Sequence, residues 1–241
     1  MLVESRVRPM VFGHRGASAH APDNTIDAFR IAAQSGADGV ELDVRFTADG
    51  HIVVHHDPAL SDFGVFTQRT FADLRAAAPQ IPTLEEAEEV LDGLMINVEI
   101  KNDPRQPDFD TTDRMADAIA RWVAAGDRYH RVIVSSFNPG TVDRVRELDA
   151  AITTGQLVGP VAQPWDEIRS AADRGHRWII LAKRHFRRRS AEFVADAHGA
   201  ELLVAAWTVD APRTLRRLDE DGVDAVITND PGRALEIYSP G

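Results

Sequence analysis

A (β/α)8 TIM barrel, of the α/β class, is the fold this sequence predicts, and three observations predict it. Short apolar runs alternate with longer segments of helical spacing along the whole 241-residue chain. Eight such units can be counted, and eight in roughly 240 residues fit a closed barrel better than an open doubly wound sheet, the runner-up. Glycines stand where several helices must end before the next strand, at Gly36, Gly93, Gly126, Gly175, Gly199 and Gly222, as left-handed helix caps would.

Taken in order, the apolar run Pro9–Phe12 is the first expected strand, and Thr25–Ser35, ending at Gly36, the first helix. Gly39–Val44 is the second strand, Leu84–Leu91 the next helix, and Met95–Ile100 the third strand. Asp103–Asp110, rich in Pro and Asp, reads as a long loop after it. The helix Thr112–Ala124 then leads to the strand Val132–Ser135, and the helix Thr141–Leu148 to the strand Ile152–Leu157. Trp165–Ala172 precedes Trp178–Ala182, Ser190–Ala197 precedes Leu202–Trp207, and Pro212–Asp219 precedes Ala225–Thr228. Pro231–Tyr238 is the last helix. No low-complexity tract or linker interrupts the series, so residues 1–241 are expected to form a single domain.

Composition excludes several classes. No stretch of eighteen apolar residues occurs, so no integral membrane segment is expected. Met1–Arg8 carries charges of both signs without the apolar core of a signal peptide, which makes a cytoplasmic location the default. Cysteine is absent, which rules out thiolate nucleophiles and thiolate metal sites. A net charge of −11 argues against nucleic acid as a partner, since that role would need a strong local basic surface. The one basic cluster, Lys183–Arg189, follows the sixth strand; a solvated loop is its simplest reading, attraction of anionic substrates or head groups the other.

Chemistry concentrates where strands should end, which is where barrels and open α/β sheets alike place their sites. Glu41 and Asp43 are two apart in Gly39–Val44, so both face one side of the strand, the barrel interior. Carboxylates forced together repel unless a proton or cation intervenes, and an oxygen-only set suits Mg²⁺ or Ca²⁺ better than zinc. Glu99, near the end of the next barrel strand, is the natural third ligand. The competing reading is an ion network with Arg15, Arg45 or Lys101. Lys101 shares a face with Glu99, where it could balance charge and hold a phosphate oxygen.

His14 follows the first expected strand between Gly13 and Gly16, and Arg15 beside it offers planar donors suited to phosphate. His55 and His56 are adjacent, and alternation lets only one of them face the site without saying which. Two histidines around an acidic cluster favour acid–base chemistry on a phosphoester. Ser135 and Ser136 lack a partner motif for nucleophilic chemistry and read as strand-end hydrogen bonding. Trp207 could stack on a substrate or fill the barrel.

In order along nearly the whole chain stand Phe12-Gly13-His14-Arg15-Gly16, Ala21-Pro22-Asp23-Asn24-Thr25, Gly36-Ala37-Asp38-Gly39-Val40-Glu41-Leu42-Asp43-Val44 and Thr47-Ala48-Asp49-Gly50. Val53-Val54-His55-His56-Asp57, Ile81-Pro82-Thr83-Leu84-Glu85-Glu86 and Asn97-Val98-Glu99-Ile100-Lys101 follow. Ser135-Ser136-Phe137, Trp207-Thr208-Val209 and Gly222-Val223-Asp224-Ala225-Val226-Ile227-Thr228-Asn229-Asp230-Pro231 complete the set. With these words the chain resembles the glycerophosphodiester phosphodiesterase family, whose fold is a (β/α)8 barrel.

The resemblance implies one divalent cation, Mg²⁺ or Ca²⁺, on Glu41, Asp43 and Glu99, and an acid/base pair of His14 and His56. His56 is preferred to His55 because it directly precedes Asp57, as in the family's His-Asp word. Arg15 and Lys101 would contact phosphate and Trp207 would line the pocket. The implied reaction is hydrolysis of a glycerophosphodiester to glycerol 3-phosphate and an alcohol. A lysophospholipid or other phosphodiester substrate, or a barrel that binds phosphodiesters without catalysis, are the alternatives.

Two departures stand out. Asp23 replaces the family's usual glutamate, a shorter acid expected to cap the first helix with Asn24. The segment from Asp57 to Ile81, the cap after the second strand, looks shortened, and insertions at this face set specificity.

Overall fold

The computed structural model describes residues 8–160, 164–187 and 190–239. The expectation for Met1–Arg8 lies outside these residues except for Arg8, and Arg188 and Arg189 of the basic cluster lie outside them too. The strands are β1 (Met10–His14), β2 (Gly39–Phe46), β3 (Ile52–Val54), β4 (Ala59–Leu60), β5 (Gly64–Val65), β6 (Met95–Ile100), β7 (Val132–Ser136), β8 (Thr153–Val158), β9 (Trp178–Ala182), β10 (Leu203–Trp207) and β11 (Ala225–Thr228). The helices are α1 (Ile26–Gln34), α2 (Phe71–Ala77), α3 (Leu84–Val90), α4 (Arg114–Ala125), α5 (Pro139–Leu148), α6 (Pro164–Asp173), α7 (Ser190–Gly199), α8 (Pro212–Glu220) and α9 (Pro231–Tyr238).

Eight of the strands, β1, β2 and β6 to β11, pair in parallel around a closed ring, with β11 pairing back onto β1. Closure settles the choice between barrel and open sheet. The period-two alternation of each strand sorts side chains inward and outward. Val40, Leu42, Val44, Ile96, Val98 and Ile100 face the helices in one large cluster with Phe29, Leu84 and Ile119. Met10, Phe12, Ile133, Leu157, Ile180 and Ile227 fill the interior of the ring. Above that apolar plug the inward positions of β2 and β6 become polar, which turns the barrel's upper end into a site.

Three expectations are corrected. His14 is the last residue of β1 rather than a loop residue beyond it, paired in register with Glu41. Gly13 allows this, because a Cβ there would meet the Gly16 carbonyl oxygen at 2.8 Å, so the turn folds directly over the strand end. Of the six glycines expected as left-handed caps, Gly36, Gly93, Gly175 and Gly222 have positive φ, but Gly126 and Gly199 do not. There the left-handed residue comes later, at Asp127 and Glu201, since a short polar or solvent-facing side chain tolerates it once the helix has unwound. Thr25 alone caps α1, its hydroxyl accepting from the Ala28 amide; Asp23 and Asn24 point elsewhere.

The segment from Asp57 to Ile81 is more ordered than its sequence suggests. It holds the β4–β5 ribbon and α2, capped by Thr70 and Asp73 in a reciprocal box. Val53, Phe66, Leu74, Ala78 and Ile81 form a small core of their own beneath it. β3 pairs antiparallel with the end of β2 and carries the chain back to the barrel mouth at His55 and His56.

Candidate active site

Glu41 and Asp43 enter the barrel mouth from β2, and the β2–β6 register sets Asp43 directly opposite Glu99. All three are buried, and each offers a carboxylate oxygen within 4.8 Å of the other two. Two cations stand among them. Lys101 Nζ contacts Glu99 Oε1 and lies 2.9 Å from Asp43 Oδ1. Arg15 Nε lies 3.2 Å from Asp43 Oδ2, its Nη1 donates to Asp23 at 2.8 Å, and its backbone amide donates to Glu41 Oε2 at 3.0 Å. The left-handed backbone at Arg15 and Asn24 folds the β1–α1 loop over the site, so that Asn24 Nδ2 donates to Asp43 Oδ2 at 2.7 Å.

The ion network and the oxygen cluster therefore coexist. Arg45, considered as a partner for the acids, pairs elsewhere, with Asp108. Burial and the neighbouring Asp43 carboxylate push Glu41 up to about 8. Burial pushes Glu99 up to about 8 as well, against the opposing pull of Lys101. Burial also works to raise Asp43, but Lys101 and Arg15 outweigh it and hold that carboxyl down at about 2. When all three carboxyls are ionised, they face the two side-chain cations Arg15 and Lys101, which leaves one negative charge in excess; Asp23, which shares Arg15, is half-exposed and screened by solvent. A bound divalent cation converts that excess to one positive charge, matching the single negative charge of a phosphodiester. The donor set, all oxygen and buried, fits such a hard ion.

The two histidines flank this cluster with different partners. His14 Nδ1 lies 2.8 Å from Asn229 Oδ1. Asn229 is itself oriented by Asp210, which accepts from both its side-chain amide and its backbone N–H. Asn229 must present its oxygen to His14, which places the proton on Nδ1 and leaves Nε2 with a free lone pair. His56 Nδ1 instead meets a carboxylate, Asp57 Oδ1, at 2.8 Å. Burial lowers the proton affinity of both rings; Asn229 opposes it at His14, and at His56 Lys101 adds to it while Asp43 and Asp57 oppose it. His55 packs edge-on against Phe66 in the small core of the insertion, which explains that histidine structurally.

Of the residues singled out from sequence, His14, Arg15, Glu41, Asp43, His56, Glu99 and Lys101 converge. Trp207 sits at the end of β10, half-buried against the apolar plug, with its indole N–H donating to the Ile180 carbonyl at 3.3 Å and its ring edge-on to Phe137. A cleft of about 580 Å³ opens beside His14 and Arg15, bounded by Asp23, Asp210, Asn229 and Arg233; Trp207 lies outside its lining, as do Glu41, Asp43, His56, Glu99 and Lys101. Ser135 and Ser136 hydrogen-bond Asn97 and the Ile100 carbonyl, as strand-end serines would. Asn24, Asp210 and Asn229 escaped the sequence reading as site residues. Asn24 and Asn229 lie inside motif words and were legible there as positions, but not as partners of Asp43 and His14.

Among the described residues no helix is long and apolar enough to cross a membrane. The model of the glycerophosphoryl diester phosphodiesterase family matches residues 14–233. A glycerophosphodiester phosphodiesterase of Caldanaerobacter subterraneus subsp. tengcongensis is 29% identical, the match covering 98% of this chain and all of the relative. One from Bacillus altitudinis is 30% identical over 94% of this chain and 97% of the relative. Among solved structures, the glycerophosphodiester phosphodiesterase of Thermotoga maritima superposes with a TM-score of 0.80 at 26% identity, covering 95% of this chain and 98% of that one. A phosphodiesterase of Oleispira antarctica, in complex with the product sn-glycerol-3-phosphate, does so with 0.79 at 26% identity, covering 95% and 96%. With the barrel, the site at its mouth and a family match across that site, the chain belongs to the glycerophosphoryl diester phosphodiesterase family.

Proposed function

We propose that this barrel hydrolyses glycerophosphodiesters to glycerol 3-phosphate and an alcohol, with one divalent cation held by Glu41, Asp43 and Glu99. The carrying observation is the charge balance of the site, three buried carboxylates against Arg15 and Lys101. The Oleispira relative's complex with sn-glycerol-3-phosphate supports the same product here. When bound, the cation supplies charge neutralisation at the phosphoryl oxygens.

The protein's own groups do the rest. Arg15 and Lys101 present N–H donors where negative charge gathers as the phosphoryl group is transferred. His14, with its proton fixed on Nδ1 by Asn229, uses Nε2 to take the proton of the attacking hydroxyl, from water or from the substrate's own glycerol. His56, whose imidazolium Asp57 stabilises, gives a proton to the departing alkoxide. The cleft beside His14 leaves room for the parts of the substrate that do not react.

The direct test is release of glycerol 3-phosphate from glycerophosphocholine, glycerophosphoethanolamine and glycerophosphoglycerol with Mg²⁺, with Ca²⁺ and with chelator. Release that needs a divalent cation is expected; release undiminished by chelator rejects the metal, and none from any substrate rejects the reaction.

The carboxyl groups add a pH-dependent expectation. Metal-free, Glu41 and Glu99 hold protons to about pH 8, whereas the ordinary value is 4.5. Native protein then binds more protons than unfolded chain between those values, so metal-free stability falls as pH rises through that window. A cation takes the protons' place, so binding at pH 7 releases about one proton or more and tightens as pH rises. Calorimetric titration in buffers of different ionisation enthalpy measures the release; none would place the cation elsewhere.

A further inference from the structure

We infer that Arg45 is a positioning residue for His56, and that the loop 103–110 reaches the reaction through it. Arg45 stands on β2 two residues beyond Asp43, on the same inward face, yet it turns away from the carboxylates. Its side chain is wholly buried, at 0% exposure, and its counter-charge Asp108 is 5% exposed. Nε donates to the His56 carbonyl oxygen at 2.9 Å and Nη2 donates to the same oxygen. Nη2 also donates to Gln106 Oε1 at 2.8 Å, and Nη1 donates to Asp108.

A guanidinium removed from water is tolerated only where its donors and its charge are matched. Here the charge and one amide oxygen come from the loop 103–110, and two donors converge on a single peptide oxygen of the histidine. His56 lies beyond the end of β3 in irregular chain, and among the described residues its backbone has no other hydrogen-bond partner. The fork therefore sets where His56 stands, and Asp57 then sets how its ring turns. Lysine cannot reproduce a planar fork on one oxygen while also holding Gln106 and Asp108. This inference rests on the proposed role of His56 as the proton donor to the leaving alkoxide.

The experiment compares two substrates in the metal-replete full chain: glycerophosphocholine, whose alkoxide must be protonated, and glycerophospho-p-nitrophenol, whose phenolate departs without a proton. Arg45→Lys is expected to lower kcat on glycerophosphocholine by about 10- to 100-fold, with KM within about two-fold, and to spare the nitrophenyl substrate. Asp108→Asn and Gln106→Leu, which keep the arginine but loosen its hold, are expected to fall the same way by less, and they carry the test if Arg45→Lys does not fold. Equal loss on both substrates, or a change confined to KM or melting temperature, overturns the inference. His56→Ala separates the two layers: if it too spares neither substrate, the acid role is wrong; if it spares the nitrophenyl substrate while the Arg45, Asp108 and Gln106 variants do not, only the positioning role is wrong.

Discussion

Glu99→Gln leaves the barrel folded and lowers kcat about 1000-fold even with Mg²⁺ or Ca²⁺ in excess, on the scale of losing one group that stabilises transition-state charge. The substitution keeps the shape of the side chain while removing one of three oxygen donors that converge within 4.8 Å. It also removes one of the two partners of Lys101, whose side chain is 10% exposed and whose ammonium retains Asp43 at 2.9 Å, so the fold keeps a paired charge at this point. Glu41→Gln is expected to act in parallel, since among the described residues no cation lies within ion-pairing distance of Glu41, whose Oε2 accepts from the Arg15 amide. Turnover and calorimetric titration of the ion read the two consequences separately. Unchanged turnover and unchanged binding in both variants would reject the three-carboxylate site.

His14→Ala and His56→Ala each lower kcat by about 10²- to 10⁴-fold, the usual span for a lost general acid or base. Neither change opens the apolar plug, because both rings border the polar mouth, so melting temperature is expected to move little. The pH profile carries more information than the rate. The acid limb of kcat/KM reports His14 taking up the proton that disables it as a base, and burial disfavours that imidazolium. The limb therefore lies below the ordinary value of 6.5 and disappears in His14→Ala. With the cation saturating across the pH range, a retained acid limb in that variant would assign the base to another group, and full turnover in either variant would remove that histidine from the mechanism.

Much of the site was legible because strand chemistry is local. Glu41 and Asp43 share a face of β2 by alternation alone, and the placement of Glu99 and Lys101 on one face of β6 and beyond follows from the same rule. The barrel followed from counting units. Boundaries followed less well: β1 runs on through Gly13 to His14, since the neighbouring turn folds back over a residue without a side chain. α2 and the β4–β5 ribbon were missed because the helix is seven residues long and each ribbon strand two, too short to show a period.

Choices that depend on distant residues were not legible at all. His55 and His56 are neighbours in the chain, and only Phe66 on one side and Arg45 with Asp57 on the other tell them apart. Asn229 reaches His14 across 215 positions, and Asp108 reaches Arg45 across 63. By itself the sequence determined the fold class, the end of the barrel that carries chemistry and the residue types available there, because periodicity and alternation are properties of neighbouring residues. Only the tertiary structure decided which carboxylates share cations, which nitrogen of His14 keeps its proton and what holds His56. Those outcomes are set by the register between strands and by the return paths of loops, where partners far apart in sequence meet under burial.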